Sequence, residues 1–213
     1  MMKNKRLQAI LSFLDIHDSF VDIGCDHAYI PIEMARLGCQ RILATDISEG
    51  ALAIAKKNIV DSGLEDIIST CLSDGLEKVD TTMYDTLVLA GMGTSTIQHI
   101  LHTPKIQNIK KIIVQSNNDL KDLRMFLNTL GYALEEEKVV LEKKHYYVVM
   151  KYVKGKQTLK KVEYEYGLYN KDNQPYYEYL FNTLDEIYEK IPENHYEERR
   201  ENRRKKELLQ SYL

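Results

Sequence analysis

The sequence has few cysteines, and their positions exclude two common kinds of stabilisation. Its 213 residues include only Cys25, Cys39 and Cys71, which are odd in number and far apart, and no Cys-x-x-Cys pair occurs. This pattern argues against a disulfide framework and against a zinc ribbon. A chain of this length needs neither, because a domain of such a size buries roughly 70% of its unfolded surface. We therefore expect a folded core without disulfides and without a metal.

Long apolar runs and an excess of positive charge are also missing. No uninterrupted apolar stretch of about 18 residues occurs, so no transmembrane helix is predicted. The start, MMKNKRLQAILSFL, has too short an apolar run for a signal peptide and is more typical of an amphipathic helix. A cytoplasmic location without a membrane partner is expected. The formal net charge of -3 argues mildly against a nucleic-acid binder, although the local distribution of charge matters more than the sum.

Short apolar runs alternate with helical patterns through the first 155 residues. An amphipathic helix comes first, with Leu7, Ile10, Leu11 and Leu14 on one face. The patterns then predict strands at 20–24, 41–46, 66–72, 85–90 and 110–116, and helices at 28–38, 49–61, 95–102 and 119–129. Two further strands, 132–142 and 145–153, have no helix between them and should pair antiparallel. A mostly parallel Rossmann-like α/β sheet that ends in an antiparallel hairpin is the layout typical of class I methyltransferases.

The character of the chain changes near residue 155. A polar stretch, KGKQTLKKVEYEYG, is predicted to be a linker. Beyond it, Tyr177, Leu180 and Leu184 follow helical spacing, Pro192 breaks that helix, and a second, highly charged helix follows. Residues 1–155 are thus predicted to be the ligand-binding domain, and residues 156–213 a linker with a helical hairpin. The hairpin could make a dimer contact through Tyr177, Leu180 and Leu184, so a monomer or a weak homodimer is expected.

The first two strand ends carry carboxylates. In an open α/β sheet, ligands bind beyond the carboxyl ends of the strands, where the strand order reverses. VDIGCDHAY has no G-x-G-x-x-G pattern, but Asp22 and Asp26 suit a ligand that carries a sulfonium and an ammonium group. Asp46 follows Gly24 by 22 residues, a spacing that suits recognition of ribose hydroxyls. The alternative is structural, with a plain turn at the first end and Asp46 as a helix cap.

The next two strand ends complete the pattern. Asp74 and Gly75 follow the third strand, where an aspartate can accept from an adenine amino group, although Asp-Gly is also a common turn. Gly91 and Gly93 form a loop after the fourth strand, and the alternative there is an ordinary loop with Thr94 as a helix cap. Together the four ends predict binding of S-adenosylmethionine. The predicted cofactor-binding residues are Asp22, Gly24, Cys25, His27, Tyr29, Asp46, Ile47, Asp74, Gly75, Ala90, Gly91 and Met92.

Five segments carry a resemblance to a known family. DIGCDHAYIPIEMA, TDIS, SDGL, LAGMG and VQSNND resemble the bacterial tRNA (adenine-N1)-methyltransferases that modify adenine 22, and the resemblance covers nearly the whole chain. It implies a Rossmann-like catalytic domain with a C-terminal helical hairpin, S-adenosylmethionine as cofactor and tRNA as substrate. The family usually has Gln-Pro-Asn where this chain has Gln115-Ser116-Asn117, a change expected to loosen the turn. It also tends to have an acidic residue in place of Val148.

The resemblance also implies roles for individual residues. Because N1-methyladenine is cationic, a carboxylate beside the base would stabilise the developing charge, and this role falls to Asp26. His27 would bind the cofactor carboxylate or take the proton that leaves after transfer, or else be structural. Gln115 and Asn117 would read the base edge through their amides. Tyr29 would pack on the cofactor or the base, unless it is an ordinary core residue.

Cations concentrate at the two ends of the chain and are the predicted RNA contacts. They are Lys3, Lys5 and Arg6 near the start, and Arg199, Arg200, Arg203, Arg204, Lys205 and Lys206 in the last helix. The alternative is a solvated helix stabilised by Glu197–Arg200 and Glu201–Lys205 pairs. Two other functions stay open at this point. One is methylation of a small molecule or protein, and the other is a catalytically silent protein that binds S-adenosylmethionine and RNA.

Overall fold

In the computed structural model, which describes residues 4–213, seven strands form one sheet with helices on both faces. The strands are β1 (Ser19–Ile23), β2 (Arg41–Asp46), β3 (Ile68–Leu72), β4 (Thr86–Met92), β5 (Lys111–Ser116), β6 (Tyr132–Glu142) and β7 (His145–Lys154). The helices are α1 (Lys5–Leu11), α2 (Tyr29–Leu37), α3 (Glu49–Asp61), α4 (Thr94–Leu101), α5 (Leu120–Thr129), α6 (Lys161–Tyr166), α7 (Gln174–Lys190) and α8 (Tyr196–Leu209). Where bounds were predicted, they differ from these by a few residues at most, and α6 was not predicted.

The strand order is β3-β2-β1-β4-β5-β7-β6, so the order reverses between β1 and β4. The five strands from β1 to β5 run parallel, whereas β7 pairs antiparallel with both β5 and β6. The predicted fold class, a Rossmann-like sheet that ends in an antiparallel hairpin and is followed by C-terminal helices, is confirmed. Because of the parallel arrangement, the ends of β1, β2 and β4 meet at one edge of the sheet.

Local sequence explains several helix ends. The Ser48 side chain accepts from Ala51 N at 3.3 Å and caps α3, as predicted. Gly38 ends α2 at a φ of +112°, a conformation that favours glycine. Thr94 is not the helix cap that the alternative reading of its loop suggested. Gly93 is the cap residue of α4, and Thr94 is its first helical residue. The Thr94 hydroxyl instead donates to Asn118 O at 2.7 Å and ties α4 to the loop after β5.

Each face of the sheet covers a separate hydrophobic core. The first three helices pack on one face, where Ile10, Met34 and Ile59 are almost fully buried. On the other face, α4 and α5 bury Ile97 and Leu127 together with residues of the C-terminal extension, residues 156–213. Because both faces are covered, the central strands are buried along most of their length rather than at alternate residues. Within residues 4–213 we find no helix long and apolar enough to cross a membrane.

The segment predicted as a polar linker contains a helix. Helix α6 begins at Lys161, and Lys160 N donates to Glu163 Oε2 at 2.6 Å, which caps the first turn. The prediction of a polar linker did not include this helix, which packs between α5 and α8. Tyr166 OH donates to Lys205 O at 2.8 Å across this contact. A six-residue helix with few apolar positions has no recognisable periodicity, and its stability comes from these tertiary contacts.

A buried ion pair joins the C-terminal extension to the sheet. Arg124 Nη2 of α5 lies 2.8 Å from Glu137 Oε1 of β6, and both side chains are almost fully buried. Arg124 Nη1 also donates to the carbonyls of Tyr164 and Glu165, at 3.1 and 3.2 Å. Leu168 N donates to Glu137 Oε2 at 2.6 Å. The two side chains therefore form an ion pair with each other and also hydrogen-bond main-chain groups of the extension.

The apolar face of α7 is used within the chain. Tyr177 is 1% exposed, its ring packs 5.1 Å from that of Tyr212, and its hydroxyl donates to Leu168 O at 3.2 Å. Leu180 and Leu184 pack against the same core. These three residues therefore pack within the chain, and a dimer contact through them stays a prediction. Helical spacing identified the apolar face correctly, and much of that face packs against the rest of the C-terminal extension.

Candidate active site

A cleft of about 470 Å³ opens where the strand order reverses between β1 and β4. This volume lies within the range of small-molecule sites, about 300–1,000 Å³. Three parts of the chain form its walls, namely the start of α1, the turn after β1 and the end of β4. The lining residues are Asn4, Arg6, Leu7, Asp22, Gly24, Cys25, Asp26, His27, Tyr29, Ile30, Ala90, Gly91 and Met92. Most of the predicted cofactor-binding residues thus surround one cavity.

Two aspartates at neighbouring strand ends make this part of the site anionic. Asp22 of β1 is 4% exposed, and burial, followed by the negative charge of Asp46, raises its pKa to about 7. Asp46 of β2 accepts from Asp26 N at 3.1 Å through one oxygen and from Ser48 N at 2.9 Å through the other. Two carboxylates held this way favour a cationic ligand, because a positive charge would offset both burial and repulsion.

The turn after β1 is held in an uncommon conformation. Gly24, Asp26 and Ala28 have φ values of +74°, +49° and +57°, so left-handed residues alternate along the turn. Such a conformation costs free energy for non-glycine residues and persists only where the surroundings fix it. The φ of +74° explains the glycine at position 24, because other residues rarely adopt it, whereas a Cβ there would meet only the movable end of the Met92 side chain. Burial, with the charges of Asp22 and Asp46, raises the pKa of Cys25, so its thiol stays neutral.

An exposed polar and aromatic group follows on the same turn. The Asp26 carboxylate is 73% exposed and lies 3.7 Å from His27 Nε2. The His27 ring stacks on that of Tyr29, with the centroids 5.3 Å apart and the planes at 20°. Tyr29 is 50% exposed, so the alternative of an ordinary core tyrosine is wrong. An exposed carboxylate beside two stacked rings can bind a flat cationic group.

The amides after β5 face the protein rather than the cleft. Gln115 is fully buried, its Oε1 accepts from Gly91 N at 3.1 Å, and its Nε2 donates to Asn117 Oδ1 at 3.0 Å. Asn117 Nδ2 in turn donates to Gly91 O at 2.9 Å. The prediction that both amides read a base edge therefore disagrees with the structure for Gln115. The two side chains form a closed ring of hydrogen bonds that fixes the backbone at Gly91.

The departure at Ser116 does not leave the turn loose. Ser116 Oγ lies 2.9 Å from Thr94 Oγ1 and donates to Asn118 O, also at 2.9 Å. Asn118 Oδ1 accepts from Thr94 N at 2.9 Å. This hydroxyl network holds the segment that proline restrains in the family pattern, so the turn has hydrogen-bond restraints in place of the ring. Val148, the other departure, is 3% exposed and packs in the hydrophobic core.

The sequence did not predict that α1 forms a wall of the cleft. Arg6, predicted as an RNA contact, donates from Nη1 to Gln115 Oε1 at 3.2 Å and so lies beside Gly91. Helix α1 reaches this position because it packs against the β6–β7 hairpin, where Glu142 Oε2 accepts from Arg6 N at 3.2 Å. This pairing joins residues 136 positions apart, so no local pattern could have indicated it.

Several predicted residues lie away from the cleft. Asp74 and Gly75 line a separate cavity of about 320 Å³ together with His99, and it shares no lining residue with the cleft. Ile47 is 65% exposed, just beyond the end of β2, and is not among the lining residues of the cleft. Lys5 is exposed at the start of α1, and Lys3 lies outside the described residues. The structure therefore separates the predicted adenine contact, Asp74, from the carboxylates at β1 and β2.

Most cations of α8 have partners within the chain. Arg204 lies 2.6 Å from Glu201 and 3.2 Å from Glu165, while Lys205 lies 3.8 Å from Glu165. The predicted Glu197–Arg200 pair is present at 2.8 Å, whereas Glu201 pairs with Arg204 rather than with Lys205. The remaining contacts are Lys206 with Asp185, Arg203 with the Tyr188 hydroxyl and Arg199 with Ile191 O.

A groove runs along the arginines of α8. Its volume is about 650 Å³, and it is lined by Glu193, Tyr196, Arg199, Arg200, Arg203, Arg204 and Glu207. Within residues 4–213, no group of three or more His, Cys, Asp or Glu side chains is arranged to hold a metal ion. The candidate chemistry therefore lies in the cleft, and the candidate surface for a large anionic partner lies along this groove.

Comparison with known proteins agrees with this geometry. Residues 3–150 match a family model described as a methyltransferase domain. A tRNA (adenine(22)-N(1))-methyltransferase of Bacillus subtilis is 34% identical over 142 residues, which cover 65% of this chain and 59% of that protein. The matched segment thus spans somewhat more than half of that relative.

Solved structures extend the likeness to the whole chain. A TrmK of M. capricolum, solved with S-adenosyl-homocysteine, has a TM-score of 0.88 at 30% identity and covers 100% of this chain and 98% of that chain. The B. subtilis M1A22 tRNA methyltransferase TrmK has a TM-score of 0.84 at 26% identity, with 99% and 98% covered. These matches confirm the resemblance inferred from the five sequence segments.

Proposed function

The chain belongs to the methyltransferase-domain family, and we propose that it transfers a methyl group from S-adenosylmethionine to N1 of adenine 22 in tRNA. The observation that carries the proposal is the cleft at the β1–β4 switch point. It combines the buried carboxylate of Asp22, which suits the methyl donor and is influenced by the charge of Asp46, with the exposed Asp26–His27–Tyr29 group, which suits a cationic base product. The relatives named for adenine 22 supply the position on the RNA.

The residues of the cleft fit the proposed cofactor. Asp22 has a raised pKa and would be stabilised in its charged form by the ammonium group of the donor. Asp46 closes β2 at the place suited to ribose hydroxyls, and each of its oxygens keeps a lone pair for them. When bound, the cofactor supplies an electrophilic methyl group, which passes to N1 as the bond to sulfur breaks and S-adenosylhomocysteine is released.

Asp26 and its neighbours would hold the base. Adenine N1 is a nucleophile at neutral pH, so no side chain has to remove a proton before transfer. The Asp26 carboxylate would stabilise the charge that develops on the ring, and Tyr29 offers an exposed face on which the base can stack. Alignment of this kind is worth about 7–11 kcal/mol in favourable reactions.

Gln115 and Asn117 would act through the backbone at Gly91. Because their amides bond to each other and to both polar groups of Gly91, we assign them as positioning residues. They would hold the loop after β4 so that the methyl group and the base meet at a fixed distance. A loop with glycines at 91 and 93 would otherwise lose that order readily.

The tRNA would extend from the cleft to the groove on α8. N1 lies on the Watson–Crick edge, so the adenine has to leave its place in the folded RNA, at a cost of a few kcal/mol. Phosphate contacts elsewhere would offset this cost. Arg200 is the best candidate, because its side chain is 79% exposed and its one ion pair is on the surface. A tRNA substrate also implies that the protein works in the cytoplasm.

The test is methylation of unmodified tRNA. The protein is incubated with cofactor labelled in the methyl group and with total tRNA transcripts, and the products are digested and mapped as nucleosides. We expect label in 1-methyladenosine, and no label in a transcript whose adenine 22 is replaced by guanine. Label in a protein or small molecule would support the first alternative. Cofactor binding without transfer to any substrate would support a catalytically silent protein.

A further inference from the structure

Arg6 brings a positive charge to the wall of the cleft. A Cβ built on Gly91 would lie 3.6 Å from Arg6 Nη1, so the guanidinium lies directly beside the loop after β4. The same cavity is lined by Asp22 and Asp26, but neither carboxylate pairs with Arg6. The cleft thus has separate places for a cation and for an anion.

The guanidinium is held from several sides. Nη1 donates to the buried Gln115 Oε1 at 3.2 Å, and Cζ lies 5.3 Å from the centroid of the Tyr147 ring. The main-chain N of Arg6 donates to Glu142 Oε2 at 3.2 Å. An arginine stacked on an aromatic face and bonded to a buried amide loses little further freedom when it binds a ligand.

The charge of Arg6 is left without a partner. Among residues 4–213, no carboxylate oxygen lies within 4 Å of its guanidinium, and Gln115 is the acceptor of its side-chain hydrogen bond there. The arginines at 36, 124, 200 and 204, by contrast, each pair with a glutamate. A half-buried cation is stabilised by an anion, and the planar fork of arginine matches a carboxylate or a phosphate.

We propose that Arg6 is the anion anchor of the cleft and binds a carboxylate or phosphate oxygen of the ligand. The proposal rests on the proposed function, in which two anions reach this cleft: the amino-acid carboxylate of the cofactor and a phosphate of the RNA beside the target base. Both present the same chemistry to the guanidinium. The experiment below separates the two sources.

Calorimetric titration without RNA tests the first source. Wild type, Arg6→Gln and Arg6→Lys are each titrated with S-adenosylhomocysteine and with its decarboxylated analogue. If the cofactor carboxylate is the ligand, Arg6→Gln weakens binding of S-adenosylhomocysteine by about ten- to a hundred-fold and abolishes the preference over the analogue. Arg6→Lys should keep part of that preference, because it keeps the charge. Arg36→Gln, an exposed arginine paired with Glu33, is the matched control.

The second source is tested by measuring tRNA binding under conditions in which no methyl group can be transferred. If a phosphate is the ligand, Arg6→Gln leaves the cofactor affinity unchanged, weakens tRNA binding and lowers the slope of log affinity against log salt by about one. Unchanged cofactor preference together with an unchanged salt slope would overturn the proposal. Failure of the proposed function looks different, since wild type itself would then not bind S-adenosylhomocysteine or not methylate tRNA. A merely structural Arg6 would lower the unfolding temperature without changing the preference for the carboxylate.

Discussion

The cleft and the C-terminal extension use charged side chains in opposite ways. In the cleft, Asp22 and Arg6 face a cavity, and neither forms an ion pair within residues 4–213. In the extension, Arg204 pairs with Glu165 and Glu201, and Lys206 pairs with Asp185. An unpaired charge at a cavity is available to a ligand, whereas a paired charge holds two parts of the chain together. Counting charges along the sequence does not separate these two uses.

Loss of a charge should reduce stability most at the buried Arg124–Glu137 pair, which bonds to the C-terminal extension. Glu137→Gln leaves Arg124 buried without its counter-ion, and we expect the free energy of unfolding to fall by about 3–5 kcal/mol. Denaturant titration measures this change. Glu197→Gln, which breaks a surface pair on α8, should leave the midpoint unchanged. Equal midpoints for the two variants would mean that the buried pair does not anchor the extension.

In the cleft, the corresponding experiment removes the carboxylate of Asp26. Asp26→Ala removes the exposed carboxylate beside His27, and we expect the turnover number for tRNA methylation to fall about 100-fold. Cofactor affinity should be retained, because Asp26 reaches Asp46 through its main-chain N, which alanine keeps. Single-turnover kinetics and calorimetry separate the two quantities. Full activity in this variant would remove Asp26 from the catalytic residues.

Asp22 predicts a pH dependence. Its pKa is raised from 3.8 to about 7, so its protonated form is favoured in the folded protein. Its contribution to stability is therefore greatest below pH 3.8 and is lost as the pH rises to about 7. A cationic cofactor favours the ionised form of Asp22 instead, because its positive charge stabilises the carboxylate.

We accordingly expect cofactor affinity to fall as the pH decreases below 7, by up to about tenfold per pH unit. Calorimetric titrations on both sides of this pH measure it. Asp22→Asn should bind more weakly and without this dependence, whereas Asp74→Asn, in a separate cavity, should keep it. A wild-type affinity that is flat with pH would contradict the role of Asp22.

The smallest effect is expected on α8. Arg200→Gln should weaken tRNA binding a few-fold and lower the salt slope by about one, without changing stability. Arg204→Gln should instead lower stability, because it breaks contacts to Glu165 and Glu201, and should leave the salt slope unchanged. Filter binding at several salt concentrations, with thermal unfolding alongside, measures both. A lower salt slope for Arg204→Gln and an unchanged one for Arg200→Gln would show that Arg204, rather than Arg200, contacts the RNA.

The strand ends explain why so much of the cleft could be predicted from sequence. Asp22, Asp46 and Gly91 each follow a short apolar run, and parallel strands bring such ends to one edge whatever the rest of the chain does. Asp74 was placed by the same rule, but it lines a separate cavity. The rule locates a residue at an edge and does not give the direction of its side chain.

The rest depended on pairings between distant segments. The position of Arg6 follows from α1 packing on the β6–β7 hairpin, which brings its side chain to the buried Gln115. Similarly, Tyr177 has the spacing of an exposed apolar face, and packing within the C-terminal extension, including the ring of Tyr212, buries it.

Local periodicity and strand direction are enough to predict the succession of strands and helices along the chain and the carboxylates at the strand ends. The lateral order of the strands, and with it the switch point between β1 and β4, depends on pairing between distant segments. The same is true of the charges that stay free. Arg6 and Arg204 are the same residue type, but the fold gives Arg204 two glutamates and leaves Arg6 beside a cavity. Whether a charge is paired depends on distances between residues far apart in the chain, and hydrophobic packing, rather than the charge itself, sets those distances.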